Sequence, residues 1–375
     1  MKIALLEPFM TGSHASWANG YAAHSCHTVE IFSLEGKYWK WRMHGGAVSL
    51  ARQFRARGFT PDLLLATDML DLTTFLALTR DLTAGLPCAL YFHENQLSYP
   101  WSPGDADPAL QRDAHYSFIN YTSALAADQV CFNSAYHRHD FLARLPEFLN
   151  CFPDHCEADT VAQIDAKSIT LPLGLDLDAL ERAKPIRARS QRADSRKDVA
   201  PLILWNHRWE YDKNPEEFFH ALFALQEQGV DFKLAVLGEA YRKQPAIFAT
   251  ARERLQQRIV HWGYVETYAE YAAWLWRADI LPVTSIHDFF GISVVEAIYC
   301  GCFPLLPQRL AYPEHVDPEC YPMCFYQDST DFVTTLAQIC RSHAWHDFNL
   351  KTVYRYNWSE IVLKYDAIFA ALASE

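Results

Sequence analysis

Residues 285–301 read Ser285-Ile286-His287-Asp288-Phe289-Phe290-Gly291-Ile292-Ser293-Val294-Val295-Glu296-Ala297-Ile298-Tyr299-Cys300-Gly301 and carry the strongest structural signal in this chain. The apolar run before them, residues 278–284, predicts a buried strand that ends in polar residues. Gly301 predicts the end of a helix, and residues 302–306 predict the next strand. The pattern indicates a strand-loop-helix-strand unit of a parallel sheet. Its loop lies at the carboxyl end of the strand, where open α/β sheets bind ligands.

The helix within this stretch carries a carboxylate on an apolar face. If the helix begins near Gly291, then Ile292, Val295, Glu296 and Tyr299 follow the spacing of one helical face. That places Glu296 on the inward side, where a carboxylate needs a hydrogen-bond partner. The N-terminus of the helix offers free N–H groups and a positive dipole, which favour a phosphate.

We therefore predict that Asp288 and Glu296 bind hydroxyls of a phosphorylated sugar ligand, with its phosphates over residues 289–292. A second interpretation fits this stretch equally well. Asp288 would then only end the loop before the helix, and Glu296 would reach solvent or pair with an Arg.

Composition limits the class of protein. A chain of 375 residues exceeds one ordinary core, so two domains are expected, and the 50% apolar content indicates compact globular structure. Ten cysteines without a secretory signal predict reduced thiols and a cytoplasmic location. The net charge of −12 argues against a uniformly basic protein that binds nucleic acid or anionic lipid non-specifically.

The beginning of the chain and its apolar runs favour a protein without membrane segments. Residues 1–8 fit a first strand better than a signal peptide, because the apolar run is short and Pro8 interrupts it. No apolar run is long enough to span a bilayer, so we expect no membrane insertion.

Strands and helices alternate through the first half, as in a doubly wound domain. Residues 8–14 are predicted to form a loop, and a helix is predicted to start near Ala15 with Ser13 as its cap. Residues 46–58 predict a helix that carries Arg52, Arg55 and Arg57. The predicted strands are residues 2–7, 29–33, 62–67, 89–92 and 128–132.

A second alternation follows a basic segment. Seven basic residues and one acidic residue between Arg182 and Lys197 predict an exposed linker at about residues 182–199. We expect an N-terminal acceptor-side domain over 1–172, a nucleotide-sugar domain over 173–357 and a helix over 358–375 that packs back on the first domain. The second-half strands are predicted at residues 202–205, 233–237, 259–262, 280–283 and 304–306, and two of its helices at 215–228 and 268–277.

A second chemical signal lies in residues 205–215, which follow a strand and open a helix at Pro215. Arg208 and Lys213 project from this loop. A fork-shaped guanidinium and a compact ammonium can clamp a diphosphate without a metal. Two solvated surface cations are the simpler interpretation of such a pair taken alone.

Together, the two signals resemble the retaining nucleotide-sugar glycosyltransferases of the GT-B fold. Four residues separate Arg208 from Lys213, and seven separate Asp288 from Glu296. The resemblance implies two Rossmann-like domains facing across a cleft. It implies that Glu296 holds the ribose hydroxyls, that Asp288 contacts the donor sugar, and that Arg208 and Lys213 clamp the diphosphate. Asp288 departs from the commoner Glu of this family, and its shorter side chain should weaken the sugar contact.

The same resemblance implies further donor contacts. The amides of Phe289, Phe290 and Gly291, next to Ile292, would approach the sugar and phosphate, and Tyr264 lies near the expected base site. Gly12 and Ser13 would let the first loop approach the diphosphate, although a simple turn and helix cap explain them equally well.

The first half resembles the tRNA-queuosine mannosyltransferase family more specifically. The resemblance implies transfer of mannose from the donor GDP-mannose to the cyclopentene-diol of queuosine in a tRNA anticodon. The strings that carry it are residues 11–17, 92–100, 132–134, 287–291 and 299–302.

The acceptor is then expected to contact residues of the first half. His93, at a strand end, would face the donor sugar, while the donor phosphate itself would take the proton of the acceptor. Glu94 is the alternative base. For His93 alone, a histidine held in a strand-end hydrogen-bond network is the simpler interpretation. The expected acceptor-binding residues are His14, Trp17, His93, Glu94, Asn95, Gln96 and Tyr99.

A tRNA acceptor needs positive and aromatic surface. The candidates are the three arginines of helix 46–58, the basic linker, and aromatic side chains that could stack a base, namely Trp17, Trp39, Trp41 and Tyr99. Core packing and a solvated linker explain most of these residues as well. No cysteine or histidine group has the paired spacing of a zinc site, so no metal or other cofactor is expected.

Two other functions stay open from the sequence. A lipid or polysaccharide acceptor would require membrane association, and the acidic balance counts against it. The second alternative is a protein that binds a nucleotide sugar or RNA without turnover. The main support for it is Asp288, which stands where the family more commonly has Glu. The oligomeric state is unknown from the sequence.

Overall fold

A computed structural model describes residues 1–102, 104–110, 114–185, 200–238, 244–346 and 348–374. The chain divides into two compact units. The first comprises Met1–Leu175 and the chain from Tyr356 onward, and the second comprises Asp176–Arg355. The divisions predicted from the sequence lie at 172/173 and 357/358. Most of the predicted basic linker, residues 186–199, lies outside the described residues.

The first unit is built on a parallel sheet with the strand order β2-β1-β3-β4-β5-β6. Every residue of β3 and β4 is buried, because apolar runs in a parallel sheet are covered by helices on both faces. The six strands found in the described part of this unit are β1 (Lys2–Met10), β2 (Thr28–Glu35), β3 (Leu63–Thr67), β4 (Cys88–Phe92), β5 (Gln129–Phe132) and β6 (Ser168–Thr170).

The second unit has its own parallel sheet, with the order β12-β11-β10-β7-β8-β9. The two sheets confirm the predicted α/β class with two doubly wound, Rossmann-like domains. The strands of the second sheet, within the described ranges, are β7 (Leu202–Trp205), β8 (Lys233–Val236), β9 (Ile259–Trp262), β10 (Ile280–Pro282), β11 (Phe303–Pro307) and β12 (Phe325–Tyr326).

Helices join most of the strands, and three short 3-10 helices cover Tyr211–Lys213, Pro322–Cys324 and Thr352–Tyr356. In the described part of the chain none of the helices has both the length and the apolar character that crossing a bilayer requires. The helices are α1 (Gly12–His24), α2 (Trp39–Arg57), α3 (Leu72–Leu78), α4 (Arg80–Thr83), α5 (Ala114–Ala126), α6 (Ala135–Leu149), α7 (Thr160–Ala166), α8 (Leu177–Arg182), α9 (Pro215–Glu227), α10 (Ile247–Arg254), α11 (Tyr268–Arg277), α12 (Ile292–Tyr299), α13 (Tyr312–His315), α14 (Ser329–Ser342) and α15 (Trp358–Leu372).

The last helix, α15, packs on α1 of the first unit. The Trp17 indole N–H donates to the Tyr365 hydroxyl at 3.0 Å, and the Tyr21 hydroxyl donates to Asp366 at 3.1 Å. The chain therefore returns to the first unit after completing the second.

The start of α1 corrects the prediction for residues 8–14. Strand β1 continues to Met10 and the helix begins at Gly12, so Gly12, Ser13 and His14 form its first turn rather than a loop. Thr11, not Ser13, precedes the helix. Pro8 is tolerated because it lies at a register shift of the strand, where no ladder donor is needed.

Helix α2 begins at Trp39, seven residues before its predicted start at residue 46. Its interior contains two glycines, which are poor helix formers. Both have neighbours that occupy the space of a side chain, since Gly45 lies under the Trp41 indole and Gly46 lies against Pro8.

Strand order decides where each unit can bind a ligand. Neighbouring strands whose connections run in opposite directions leave a crevice between their carboxyl-end loops. In the first unit this crevice lies between β1 and β3, and in the second between β7 and β10. The loops of interest are therefore the ones after these four strands and, in the first unit, the loop after β4, which pairs with β3.

Candidate active site

The loops after β7 and β10 are tied together in the second unit. The backbone N–H of Ile286 donates to the carbonyl of Asp212 at 2.9 Å. The Thr284 hydroxyl lies 2.9 Å from the Lys213 carbonyl and 3.0 Å from that of Asn214. These bonds bring both sequence signals, residues 205–215 and 285–301, to the crevice of this sheet.

Lys213 is the fixed cation of this site. Its Nζ lies 3.2 Å from Asp212 Oδ2 and 3.4 Å from Asp288 Oδ2, and it donates to the His287 carbonyl at 3.1 Å. Burial lowers the pKa of Lys213, but the carboxylates of Asp288 and Asp212 outweigh this effect and raise it. The side chain is only 12% exposed, so a charged ammonium is held in one position.

Asp288 is ionised beside this cation. Burial raises the pKa of Asp288, but the Lys213 ammonium, with smaller contributions from neighbouring groups, brings it below its ordinary value. The Tyr312 hydroxyl also donates to Asp288 Oδ2, at 3.2 Å. Gly291 follows with φ +85°, and a Cβ on it would lie 3.1 Å from the Tyr312 ring. A glycine is therefore needed where the loop turns into α12.

Arg208 lies in the loop after β7 and is about half exposed, with its guanidinium 2.9 Å from Glu210 Oε2. Burial, followed by the charge of Lys213, lowers the pKa of His207 to about 4, and Arg208 adds to this effect. His207 Nδ1 lies 3.0 Å from the Ser293 hydroxyl, so the loop that carries Arg208 is held against the first turn of α12.

Glu296 has a single described partner and an unusual acidity. Its Oε2 accepts a hydrogen bond from the Tyr271 hydroxyl at 2.7 Å. Burial raises the pKa of Glu296 to about 7, and the bond from Tyr271 opposes that rise. The carboxyl therefore changes charge near neutral pH.

The face of α12 differs from the one predicted. Its fully buried residues are Val294, Val295, Ala297 and Ile298, whereas Glu296 is half-buried. The helix turns its small and branched side chains to the core, and Glu296 lies at the edge of that face, opposite Tyr271 of α11. The helical spacing therefore predicted a more buried position for Glu296 than the structure shows.

The remaining predicted donor contacts are spread along this edge. The side chains of Phe289 and Phe290 are buried, so they pack in the core, and only their backbone is suited to a ligand. Ile292 is the first residue of α12, and Tyr264 is 65% exposed in the loop after β9. Their contacts with a donor stay predictions.

In the first unit, a buried ion pair links the end of β1 to α1. His14 Nδ1 lies 3.0 Å from Glu7 Oε2, and both side chains are buried. Burial lowers the pKa of His14, but the Glu7 carboxylate outweighs burial and raises it to about 9. The ring of His14 lies 4.2 Å from the ring of His93, measured between centroids.

His93 is held through its backbone, while its ring nitrogens stay open. Its N–H donates to Asp68 Oδ1 at 2.7 Å and its carbonyl accepts from Asn133 at 2.9 Å. Both ring nitrogens are buried without a hydrogen-bond partner among the described residues, as is Asp68 Oδ2. Burial lowers the pKa of His93 and raises that of Asp68, in both cases well away from the ordinary value.

The string after His93 forms a compact turn. Asn95 is buried, and its Oδ1 accepts from the N–H groups of Leu97 and Ser98 at 3.0 and 3.1 Å. Gln96 is largely buried and donates to Glu94 at 3.0 Å. Of the predicted acceptor residues in this string, Glu94 and Tyr99 are half-buried.

The structure corrects the interpretation of Trp17 as a stacking residue. Trp17 is 1% exposed, and its ring packs 4.5 Å from the Tyr91 ring and 4.8 Å from the His93 ring. It supports His93 from below and has no free face for a base. Gly12 and Ser13, by contrast, are exposed in the first turn of α1, and Gly12 has φ +51°.

Known proteins were compared with this chain. The family described as "tRNA-queuosine alpha-mannosyltransferase N-terminal" matches residues 2–175, and "Glycosyl transferases group 1" matches residues 187–320. The chain is 34% identical over 380 residues to a tRNA-queuosine alpha-mannosyltransferase of Drosophila melanogaster, covering 98% of this chain and 96% of the fly protein. This chain belongs to the tRNA-queuosine α-mannosyltransferase family.

More distant glycosyltransferases share parts of the sequence or the fold of this family member. A GDP-mannose-dependent alpha-(1-6)-phosphatidylinositol dimannoside mannosyltransferase of Mycobacterium tuberculosis is 26% identical over 148 residues, covering 39% of this chain and 37% of that protein. Sucrose-phosphate synthase from Thermosynechococcus elongatus superposes with a TM-score of 0.70 at 15% identity, over 100% of this chain and 99% of the other. These neighbours confirm the predicted GT-B fold.

Two groups of side chains in the first unit of this family member have metal-ligand chemistry. The ligand atoms of Glu7, His14 and His93 lie within 4.8 Å of one another, as do those of Cys26, His27 and Asp366. The Glu7 and Asp366 carboxylates already accept hydrogen bonds, from Phe9 N–H and His14 in the first group and from Tyr21, Ser25 and Cys26 in the second. These carboxylates therefore already have protein partners.

Sequence reasoning missed three residues of the candidate site. Asp68 follows directly after β3, and a polar residue at the end of a buried strand was a usable signal. Glu7 interrupts an apolar strand, which was a second signal. Tyr271 lies in an amphipathic helix, and nothing in its local sequence separates it from a packing residue.

Proposed function

We propose that this protein transfers mannose from GDP-mannose to queuosine in a tRNA, with retention of the α-configuration. The observation that carries the proposal is the 34% identity, along 98% of the chain, to a protein described as a tRNA-queuosine alpha-mannosyltransferase. The mycobacterial relative described as GDP-mannose-dependent supports the choice of donor. A cytoplasmic location is part of the proposal, because the acceptor is a tRNA.

The second unit supplies the donor site in this proposal. The diphosphate lies at the N-terminus of α12, where free N–H groups and the helix dipole favour an anion, and Lys213 and Arg208 neutralise it. Glu296 accepts hydrogen bonds from the ribose hydroxyls, and Asp288 from a hydroxyl of the sugar. Two cations and a helix end provide the charge, so the proposal includes no metal.

The chemical step needs no nucleophile from the protein. The bond between the anomeric carbon and the diphosphate oxygen breaks while a bond to a queuosine hydroxyl forms on the same face of the sugar. The hydroxyl proton passes to the departing phosphate oxygen, and GDP leaves. Because negative charge grows on the diphosphate, Lys213 and Arg208 stabilise the transition state more than the ground state.

The first unit is proposed to select the acceptor, because the queuosine-specific family description matches this half of the chain. His93 is the leading candidate for a polar contact. A neutral imidazole can both donate and accept a hydrogen bond, and neither ring nitrogen of His93 has a described partner. Glu94 is the alternative proton acceptor.

Radiolabelled GDP-mannose, incubated with purified protein and bulk tRNA, tests the proposal. Label is expected to be retained in tRNA that contains queuosine and not in matched tRNA from cells grown without it. A polyprenyl-phosphate acceptor in a third reaction covers the lipid alternative. Equal labelling of both tRNA samples, or labelling of the lipid alone, would overturn the proposed acceptor.

Hydrolysis of the donor without any acceptor provides the second readout. An enzyme that activates GDP-mannose is expected to release some free mannose, whereas a binding protein without turnover is not. Replacing GDP-mannose with UDP-glucose in the same assay tests the donor. Faster release of glucose than of mannose would contradict GDP-mannose as the substrate.

A further inference from the structure

Two aromatic side chains at the start of α2 are exposed to solvent. Tyr38 is 77% exposed and Trp41 is 63% exposed, and they are three residues apart. Tyr38 directly precedes the helix and Trp41 lies in its first turn, so both side chains belong to the same end of α2. Exposed aromatic side chains grouped at one place on a surface are a common feature of binding sites.

The Trp41 ring lies against the helix at Gly45. A Cβ added at Gly45 would lie 2.5 Å from Cζ2 and 2.6 Å from Cε2 of the indole. The indole therefore occupies the space beside the helix backbone that a side chain at this glycine would fill. Glycine is a poor helix former, so its presence in the helix interior is explained by this contact. One face of the indole is packed on the helix, and the ring is still mostly exposed.

Tyr38 is held in a conformation that non-glycine residues seldom adopt. Its backbone lies in the left-handed region with φ +56°, and its carbonyl accepts hydrogen bonds from the N–H groups of Trp41 at 2.8 Å and Arg42 at 3.1 Å. Such strain is found mostly where function requires a particular orientation. Gly36, two residues earlier, packs against Thr11, since a Cβ on it would lie 2.3 Å from Thr11 Cγ2. The segment just before Tyr38 therefore packs against the residue that precedes α1.

The helix beneath the rings is basic in an acidic protein. It contains five lysine and arginine residues and no carboxylate, whereas the whole chain has a net charge of −12. Lys40, Arg55 and Arg57 pair with carboxylates from other segments. Arg42 and Arg52 have no ion-pair partner in the part of the chain that the structure describes. Arg52 lies eleven residues after Trp41, on the same face of the helix.

We propose that Tyr38 and Trp41 form a platform on which an unpaired base of the RNA acceptor stacks, with Arg42 and Arg52 facing its phosphates. This inference rests on the proposed function, because it assigns a surface to the tRNA acceptor. Proteins that read single-stranded loops combine rigid aromatic faces with arginine in this way. A base needs a flat ring with a free face and nearby positive charge, and α2 supplies both.

An anionic membrane is the other surface that a basic aromatic helix can meet. A helix that lies in a membrane interface inserts its whole apolar face. The apolar face of α2 is already buried in the first unit, where Met43, Ala47, Leu50 and Phe54 are at most 2% exposed. Only the two rings and Val48 remain outside, and this favours RNA.

The test compares three variants of the full-length protein, namely Trp41→Ala, Trp41→Phe and Gly45→Ala. Binding of a fluorescein-labelled anticodon stem-loop that contains queuosine is measured by anisotropy. Trp41→Ala is expected to raise Kd about tenfold, which is about 1.4 kcal/mol, and Trp41→Phe to recover most of the loss. Gly45→Ala keeps the indole but lifts it from the helix, so weaker RNA binding is expected although alanine favours the helix.

Val48→Ala is the matched control, because Val48 is 49% exposed on the same face of α2 and carries no ring. Its Kd for RNA is expected to equal that of the unmodified protein, and hydrolysis of GDP-mannose is expected to be unchanged in all four variants. An unchanged Kd in both Trp41→Ala and Gly45→Ala would overturn the platform. Binding to phosphatidylglycerol vesicles that is lost in Trp41→Ala, with RNA binding intact, would assign the surface to lipid instead.

The proposed transferase function and the proposed platform can be tested separately. A protein that labels queuosine-containing tRNA but keeps full RNA affinity in Trp41→Ala retains the proposed function and loses the platform. A protein that labels no tRNA and does not bind the stem-loop loses both. Binding that depends on Trp41 without transfer of mannose retains the platform for an RNA ligand and overturns the transferase function.

Discussion

The crevices of the two sheets hold their polar groups in opposite ways. In the second unit, Lys213 and Asp288 are paired with each other. In the first unit, both ring nitrogens of His93 and one oxygen of Asp68 are buried without partners among the described residues. Leaving buried polar atoms without partners costs free energy. The second unit thus holds its charged groups in fixed positions. In the first unit, buried hydrogen-bonding atoms have no partner among the described residues.

This difference matches the two halves of the proposed reaction. A diphosphate needs preorganised positive charge, because charge that must reorganise during the reaction stabilises the transition state less. A diol carries no charge. It is recognised by buried hydrogen-bond donors and acceptors of the protein whose partners are supplied only by the diol. Substitutions in the two crevices should therefore fail in different ways.

The largest effect is expected for Lys213→Ala. Loss of the ammonium removes the charge that meets the diphosphate, and it leaves Asp288 buried beside Asp212 without its cation. Turnover is expected to fall on the order of 1,000-fold, as for other preorganised electrostatic groups. The rate of label transfer to tRNA measures it, and a melting curve checks the fold.

Arg258→Ala is the control for Lys213→Ala. Arg258 pairs with Asp231 in the same unit at 2.9 Å, away from the loops after β7 and β10. Its loss should leave transfer unchanged. Normal turnover in Lys213→Ala would contradict the proposed binding of the diphosphate by Lys213. It would also contradict the proposal that the second unit holds preorganised positive charge for the diphosphate.

His93→Ala tests the open side of the comparison. The substitution removes a neutral hydrogen-bonding group and no charge, so the rate should fall about 100-fold, within the range for a positioned polar group. The KM for GDP-mannose should hardly change. If His93→Ala lowers the affinity for GDP-mannose as much as it lowers the rate, residues of the first unit also contribute to donor binding. His139→Ala, which changes an exposed histidine of α6 in the same unit, is the control.

The pH dependence of donor binding tests Glu296. A carboxylate accepts two ribose hydroxyls better than a neutral acid does, and the pKa of Glu296 is about 7. The KM for GDP-mannose is therefore expected to fall as pH rises through 7. Tyr271→Phe removes the hydrogen bond that favours the charged form, which moves the midpoint to higher pH and raises KM several-fold at pH 7.

Glu296→Gln should flatten this pH profile, because glutamine does not titrate. A profile in Glu296→Gln that still falls through pH 7 would assign the transition to another group. A midpoint unchanged in Tyr271→Phe would show that burial alone sets the acidity of Glu296.

The sequence reveals local structure better than it reveals partners. Helix α11 runs from Tyr268 to Arg277 as predicted, because its apolar spacing and the Thr267 cap are both local. Strand β12, with two residues, is too short for a periodic signal. The Lys213–Asp288 pair depends on β7 and β10 being neighbours, and strand order is not written in any local pattern.

The same distinction between local pattern and tertiary packing applies to the site residues. Arg208, Lys213, Asp288 and Glu296 could be chosen because loops at strand ends carry chemistry in α/β sheets. Which groups they contact could not be known, because Tyr271 and Tyr312 come from helices whose packing is tertiary. Trp17 shows the converse error, since an aromatic residue in a functional string can be core.

The smallest effect is expected for the Glu7–His14 pair, and it concerns stability rather than turnover. The pKa of His14 is raised from 6.5 to about 9, so the folded state holds this proton more tightly than the unfolded state. The stabilisation is complete below pH 6.5 and is lost as pH rises through 9. Raising the pH from 7 to 8 should remove about 1 kcal/mol of it, and Tm should fall by about 2–4 °C.

His14→Gln should lose this component of the pH dependence, so the difference between the two melting curves isolates it from other titrating groups. If the two proteins lose equal stability between pH 7 and 8, His14 is neutral in the folded protein. The first unit would then hold no charged pair beside His93, and its crevice would differ from the other even more sharply.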